Sequence, residues 1–257
     1  MLPEERRRRI AELVDEEGRA TVAELTETFE CSRSTVYRDL RALEERNLVE
    51  RTRGGAVSPV SHDPEYDQRR MRRREQKRAI AARAVEELRG DRIVCFDSGS
   101  TTFEVSRQVA ADARLDVVTN STLIAHELGA TDADVHLTGG TLRFEHRTLH
   151  GPDAERYLDR WNFELLFLGA DGVTADDGLM TRSTQQASIK RSMMANARRT
   201  VLVVDHAKFE RSSKIQFGEF SDIDMIITDR GTPDPVRDRL MADNIDVVSR
   251  CESKLFD

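Results

Sequence analysis

Lysine is scarce in this 257-residue chain: five residues, at positions 77, 190, 208, 214 and 254, leave arginine to carry nearly all of the positive charge. Cysteine is scarcer. Cys31, Cys95 and Cys251 lie far apart, which excludes a disulfide ladder and paired zinc-ligand spacing and makes a reducing cytoplasm the expected compartment. No apolar run approaches the roughly 18 residues of a membrane span, so no membrane partner is expected. The chain passes from Met1-Leu2-Pro3 straight into charge at Glu4 and Glu5 without an apolar stretch, and secretion is not expected. His62, His126, His136, His146, His150 and His206 form no metal-spaced set, and neither a metal nor a cofactor is expected.

Hydrophobic residues at 38% and charged residues at 34% suit a globular protein, and the length favours two ordinary domains over one large one. The net charge of −7 is unevenly spread. Residues 1–60 hold 11 Arg against 13 Asp and Glu, residues 61–80 hold 7 basic against 4 acidic residues, and residues 81–257 hold 22 against 30. Surplus carboxylates with few lysines resemble surfaces adapted to a high-salt cytoplasm, and a GC-rich genome explains the arginine bias equally well.

Near the N-terminus, Pro3 opens a helix with Ile10, Leu13 and Val14 on one face and Gly18 as its stop. Thr21-x-x-Glu24 is a capping box, followed by Val22, Leu25 and Phe29 on one face of a second helix over about 22–29. Ser32 caps a third helix with the buried stripe Val36, Leu40 and Leu43. Three short helices with a tight joint between the last two make a helix-turn-helix. At about 100° per residue the third helix points Ser34, Arg38 and Arg41 away from its apolar stripe, with Arg33, Thr35 and Tyr37 beside them. Such side chains read base edges and phosphates of double-stranded DNA. Arg51-Thr52-Arg53-Gly54-Gly55-Ala56-Val57 reads as a hairpin wing with two exposed arginines. A small bundle serving as a protein-interaction module is the plainer alternative. The placement of Arg33, Arg38, Arg41, Arg51 and Arg53 on the outer face and wing favours DNA.

The stretch from Ser32 through Arg38 to Glu44, followed by Arg53-Gly54-Gly55-Ala56, resembles the N-terminal winged helix of the DeoR family of sugar-metabolism regulators. The family usually carries histidine where this chain has Arg53, a swap that keeps a phosphate-reaching group.

Residues 58–68, with Ser58, Pro59, Ser61, His62, Asp63 and Pro64, have the composition of a boundary. A helix over 69–89 is expected next, with Arg69, Arg70, Arg72, Arg73, Arg74, Lys77 and Arg78 crowding one stretch and Ile80, Ala81, Ala84, Val85 and Leu88 on an apolar side. This basic run either touches DNA or pairs with the acidic C-terminal domain, and the second is preferred. The expected domains are 1–58, a winged helix-turn-helix that is mainly α with a small β wing; 59–90, a linker and basic helix; and 91–257, an α/β effector domain.

From Arg92 onward, strand-like runs at 93–96, 116–118, 135–137, 165–168, 201–204, 225–227 and 247–248 alternate with helix-like stretches at 103–112, 122–129, 184–198 and 234–243. The pattern predicts an α/β domain with a mostly parallel sheet. Ligands of such sheets collect outside the carboxyl ends of the strands. Those ends are polar here: Asp97-Ser98-Gly99-Ser100-Thr101-Thr102, Thr119-Asn120-Ser121, Thr138-Gly139-Gly140-Thr141, Gly169-Ala170-Asp171-Gly172 and Asp205-His206-Ala207-Lys208. The first reads as a phosphate cradle. It carries no Gly-Lys-Ser/Thr and no G-x-G-x-x-G, which disfavours nucleotide hydrolysis and dinucleotide binding. Together the ends suit a small polyhydroxylated anion, with Lys190 or Lys208 neutralising its charge.

These motifs extend the resemblance from residue 1 to about 250, since Asp-x-Gly-x-Thr-Thr, Thr-Asn-Ser, Gly-Gly, Gly-Ala-Asp-Gly, Ala-x-x-Lys and Asp-x-x-Lys-Phe recur in order in the DeoR effector domain. Ser100 replaces the usual threonine and Gln186 a frequent glutamate. The resemblance implies a sugar-phosphate-isomerase-like fold and a transcriptional repressor of sugar catabolic genes, responding to a phosphorylated sugar or polyol. Reading paired half-sites then requires a dimer or higher homo-oligomer. The competing reading is a sugar-phosphate isomerase-like enzyme with an accessory DNA-binding domain, in which Asp97, Asp171 or Asp205 serves as base and Lys190 or Lys208 as acid. Gln186 takes no useful proton, and no catalytic residue is expected.

Overall fold

The computed structural model describes residues 2–17, 19–46, 48–57, 64–88, 90, 92–144, 147–174, 176–209, 211–230 and 246–251. The chain divides into two compact units, Met1–Arg72 and Arg73–Asp257.

The first unit runs α1 (Pro3–Glu17), β1 (Arg19–Thr21), α2 (Val22–Thr28), α3 (Arg33–Glu44), β2 (Glu50–Thr52), β3 (Gly55–Val57) and α4 (Pro64–Met71). Both expected caps form. Thr21 and Glu24 satisfy each other's backbone N–H groups, and the Ser32 hydroxyl accepts from Thr35 N at 3.2 Å. Ile10, Val14, Leu25, Val36, Leu40 and Leu43 close one small core. The expected stop Gly18 lies outside the described residues.

The wing is larger than a hairpin. Strand β1, which nothing in the local pattern announces, pairs antiparallel with β3 to give the order β1-β3-β2. Gly55 makes this approach feasible, because a Cβ there would stand 2.0 Å from the Ala20 carbonyl oxygen.

The second unit begins with α5 (Arg74–Ala84) and continues through β4 (Ile93–Phe96), α6 (Ser100–Ser106), β5 (Asp116–Thr119), α7 (Thr122–Leu128), β6 (Asp134–Leu137), β7 (Thr141–Arg143), β8 (Thr148–His150) and α8 (Pro152–Leu158). It ends with β9 (Leu165–Leu168), β10 (Gly172–Thr174), β11 (Gly178–Thr181), α9 (Thr184–Ala195), β12 (Thr200–Val203), β13 (Ile215–Gly218), β14 (Met225–Asp229) and β15 (Asp246–Cys251).

All seven expected strands enter one parallel sheet in the order β15-β14-β12-β9-β4-β5-β6. Strand β9 and its neighbours are buried on both faces, which is why they read as unbroken apolar runs. From β4 the chain builds outward through β5 and β6, then returns to the other side of β4 with β9, β12, β14 and β15. The order therefore reverses between β4 and β9, and the crevice beyond their carboxyl ends is the topological switch point. A small antiparallel sheet, β10-β11-β13, and a hairpin, β7-β8, add to the expected elements.

Two expectations change. The helix read over 69–89 is broken: α4 ends at Met71, Arg73 adopts the left-handed conformation at φ 54°, and α5 passes into a 3-10 turn at Val85–Glu87. A left-handed residue interrupts the helical hydrogen-bond ladder, and the division between the units falls there. Helix α5 belongs with the second unit, since it packs with α6 and β14. The helix read at 103–112 starts earlier and is shorter, so that Ser100, Thr101 and Thr102 form its first turn. The helix read at 234–243 and most of the boundary at 58–68 lie outside the described residues.

Candidate functional site

In the first unit, α3 presents Ser32, Arg33, Ser34, Tyr37, Arg38 and Arg41 as exposed side chains, with Thr35 half-buried. Arg51, Arg53 and Gly54 are exposed on the wing. Arg41 pairs with Glu45 at 3.2 Å and Arg51 with Glu44 at 3.5 Å. Arg33, Arg38 and Arg53 form no ion pair among the described residues. On the opposite side of α3, Asp39 is 1% exposed and accepts from Arg6 Nε at 2.6 Å and Arg7 Nε at 2.9 Å. This buried clamp fixes α3 against α1 and so holds the outer face in place. Sequence reading passed over it because an acid amid arginines looks like part of a solvated face.

In the second unit, Asp97 stands immediately beyond β4, fully buried. Its carboxylate accepts from Gly169 N at 3.0 Å, across the switch point, and from Lys190 Nζ on α9. Burial pushes the Asp97 carboxyl up, and the Lys190 ammonium pulls it down. Lys190 also donates to Gly169 O at 2.9 Å and lies 5.2 Å from the Phe217 ring centroid. Asp171, beyond β9, accepts from Thr181 Oγ1 at 3.1 Å and from Arg182 Nε at 3.0 Å. The Thr181 hydroxyl also lies 2.9 Å from Gln186 Oε1, so its one proton is shared between Asp171 and the glutamine that stands where the family often has an acid.

Asp205 caps the 3-10 turn His206–Lys208 through Ala207 N and lies 3.7 Å from Arg73. Burial lowers the Lys208 pKa, against the favourable fields of Asp171 and Asp205. Next to them lies a residue that sequence reading placed only in a basic run. Lys77 of α5 is 2% exposed, and burial holds its pKa down to about 8 despite Asp205 and Glu104. Asp97, Lys190, Asp171, Lys208 and Asp205 thus come together at the carboxyl ends of β4, β9 and β12, joined by Lys77, Arg73 and Arg182.

The other expected residues serve the backbone. The buried Thr102 hydroxyl donates to Gly99 O at 3.0 Å, and Thr101 is buried, while Ser98, Gly99 and Ser100 are half-buried. Thr119 donates to Phe96 O at 2.8 Å, tying β5 to β4. Asn120 donates to Leu149 O at 3.3 Å, and its Oδ1 is buried with no hydrogen-bond partner. Gly139 and Gly140 have φ of 69° and 92°, and a Cβ on Gly140 would stand 2.5 Å from His150 O. Among the described residues, no group of three or more His, Cys, Asp or Glu is placed to hold a metal ion. None of the described helices is long and apolar enough to cross a membrane.

A family model for the DeoR C-terminal sensor domain matches residues 72–230, and one for the DeoR-like helix-turn-helix domain matches residues 6–62. The chain belongs to the DeoR family. This DeoR-family chain is similar to the HTH-type transcriptional regulator GlpR of Haloferax volcanii, at 46% identity over 91% of the chain and 92% of that protein. It is also similar to the glycerol-3-phosphate regulon repressor of Escherichia coli, at 32% identity over 87% of the chain and 90% of that protein. Among solved structures, ribose 5-phosphate isomerase A from Methanocaldococcus jannaschii aligns at a TM-score of 0.39 and 16% identity, covering 52% of this chain and 53% of that one. A probable sor operon regulator from Shigella flexneri aligns at 0.41 and 13%, covering 65% and 88%.

Proposed function

We propose that this DeoR-family regulator acts in the cytoplasm as a repressor of sugar catabolic genes, binding operator DNA through α3 and the wing and releasing it when a phosphorylated sugar or polyol occupies the carboxyl ends of β4, β9 and β12. The observation that carries the reading is the charged cluster at the switch point, built from Asp97, Lys190, Asp171, Asp205 and Lys208, in a chain whose exposed α3 offers unpaired arginines. Arg33, Arg38 and Arg53 suit phosphates and guanine edges, while the carboxylates suit sugar hydroxyls. A relative named for the glycerol-3-phosphate regulon supports an effector of this size and charge. Catalysis is disfavoured because Asp97 is already engaged by Lys190 and Gly169 N, and Asp171 by Thr181 and Arg182. The working form is at least a homodimer, since two reading heads match two half-sites.

The test combines operator binding by fluorescence anisotropy with thermal unfolding in a panel of sugar phosphates, both on the full chain. Arg38→Ala is expected to lower operator affinity by about tenfold to a hundredfold and to keep the thermal response to the effector. Asp97→Asn is expected to do the reverse. Loss of both activities in both variants, or turnover of a sugar phosphate by the wild type, refutes the division of labour.

A further inference from the structure

We propose that Glu44, the last residue of α3, is a positioning residue of the DNA interface: its carboxylate fastens strand β2 of the wing to the helix that reads the operator, and so fixes where Arg53 meets the duplex. The proposal rests on the DNA-reading role of α3 and the wing, and adds the residue that sets one against the other.

An acid is the wrong charge for this place. At the C-terminus of α3 it opposes the helix dipole, which favours a base there. Tyr37, Arg41 and Glu44 stand at i, i+4 and i+7, on one stripe of the helix, so the carboxylate shares the outer face with the arginines and repels the phosphates that they suit. A side chain that breaks local rules is expected where something compensates. Here the compensation is geometric. Arg51 N donates to Glu44 Oε1 at 3.1 Å, and the Arg51 guanidinium stands 3.5 Å from Glu44 Oε2, so the two oxygens hold the backbone and the side chain of one residue.

Arg51 is well placed to carry that hold to the tip of the wing. Strand β3 is fixed by its pairing with β1 and by the buried Ala56, whereas β2 is an edge strand exposed along its length. Arg51 faces Ala56 in the β2-β3 ladder, and the next pair, Thr52 with Gly55, closes a two-residue turn at Arg53 and Gly54. The tie therefore lies two residues from Arg53. Glu45, the next residue, makes a different contact: it pairs with Arg41 at 3.2 Å, within one turn of the helix end.

Full-length wild type, Glu44→Ala, Glu44→Gln and Glu45→Gln are titrated by fluorescence anisotropy at fixed ionic strength. The probes are a duplex that the wild type selects from a random pool and a scrambled duplex of the same composition. Glu45→Gln removes the same charge as the Glu44 variants and leaves the tie to Arg51 in place. Repulsion alone would make all three variants bind both duplexes more tightly. Positioning instead makes Glu44→Ala lose about tenfold on the selected duplex, since each of two reading heads gives up one hydrogen bond, and lose less on the scrambled one. Glu44→Gln keeps an acceptor for Arg51 N and is expected to lose under about threefold, while Glu45→Gln binds at or above wild-type strength. Thermal unfolding is expected to move little in every variant, and hydrogen exchange at residues 50–57 to quicken in Glu44→Ala. Wild-type or tighter binding of the selected duplex by Glu44→Ala, unchanged exchange in the wing, or an equal loss in Glu45→Gln overturns the proposal and leaves α3 as the reader. If the wild type selects no sequence, the DNA reading falls and the proposal falls with it.

Discussion

Lys77→Met is expected to stabilise the protein near neutral pH. The side chain is 2% exposed, and burial lowers its pKa from 10.5 to about 8, although Asp205 and Glu104 favour the ammonium while Lys208 and Arg73 oppose it. A base with a lowered folded-state pKa binds fewer protons folded than unfolded, so its cost is full below pH 8 and fades as pH rises toward 10.5. At 1.36 kcal/mol per pKa unit the charged Lys77 costs about 3 kcal/mol at pH 7, and about 1.5 kcal/mol near pH 9.5. Methionine fills a similar volume without the charge. Urea unfolding of wild type and variant at pH 7, 8 and 9.5 should therefore show a gain that is largest at pH 7 and shrinks by about half at the highest pH. A variant less stable than wild type by more than about 1 kcal/mol at pH 7 would refute the reasoning, because it would make the buried ammonium a net stabiliser of Asp205 and Glu104.

Asp39→Ala leaves Arg6 and Arg7 facing an empty buried acceptor site, and should destabilise the winged-helix unit by about 3 kcal/mol in chemical unfolding; a loss under about 1 kcal/mol would show the clamp to be dispensable. Gly55→Ala places a Cβ against the Ala20 carbonyl, so β1 must leave β3, and hydrogen exchange at residues 19–21 and 55–57 should quicken while the second unit is unchanged. If two copies each place Arg33, Arg38 and Arg53 on phosphates, log affinity for operator falls with log salt at a slope of about −5, and Arg53→Gln reduces that slope by about 2. A flat salt response would exclude these contacts, and a collapse below about 0.3 M salt would argue against a high-salt setting.

The helices of the first unit were legible because their signals are local: Thr21 with Glu24, Ser32 as a cap, and apolar residues three and four apart. Strand β1 was not, since Arg19–Thr21 has no alternation of its own and forms only because β3 and Gly55 lie alongside. The parallel strands showed as unbroken apolar runs, and their order was not legible because it depends on pairings between distant segments. The break at Arg73 had no proline or glycine to announce it. At the crevice, the acids and Lys208 were readable from their positions at strand ends, and Lys190 from the Ala-x-x-Lys motif of the family resemblance. Lys77 and Arg182 were not, because helical periodicity assigns a lysine to solvent and Arg182 stands beyond a short antiparallel strand that the pattern did not reveal.

The scarcity of lysine turns the crevice into its own reporter. Of the chain's five lysine ammonium groups, Lys77 and Lys190 are buried, Lys208 is half-buried, Lys214 is exposed, and Lys254 lies outside the described residues. If the effector fills the crevice as proposed, an amine-directed reagent at limiting dose meets Lys214 as an exposed reference and Lys208 as a group whose reactivity falls with occupancy. Mass spectrometry of the unmodified natural sequence can then count filled crevices with no label introduced, in a way that an ordinary lysine-rich surface would drown out.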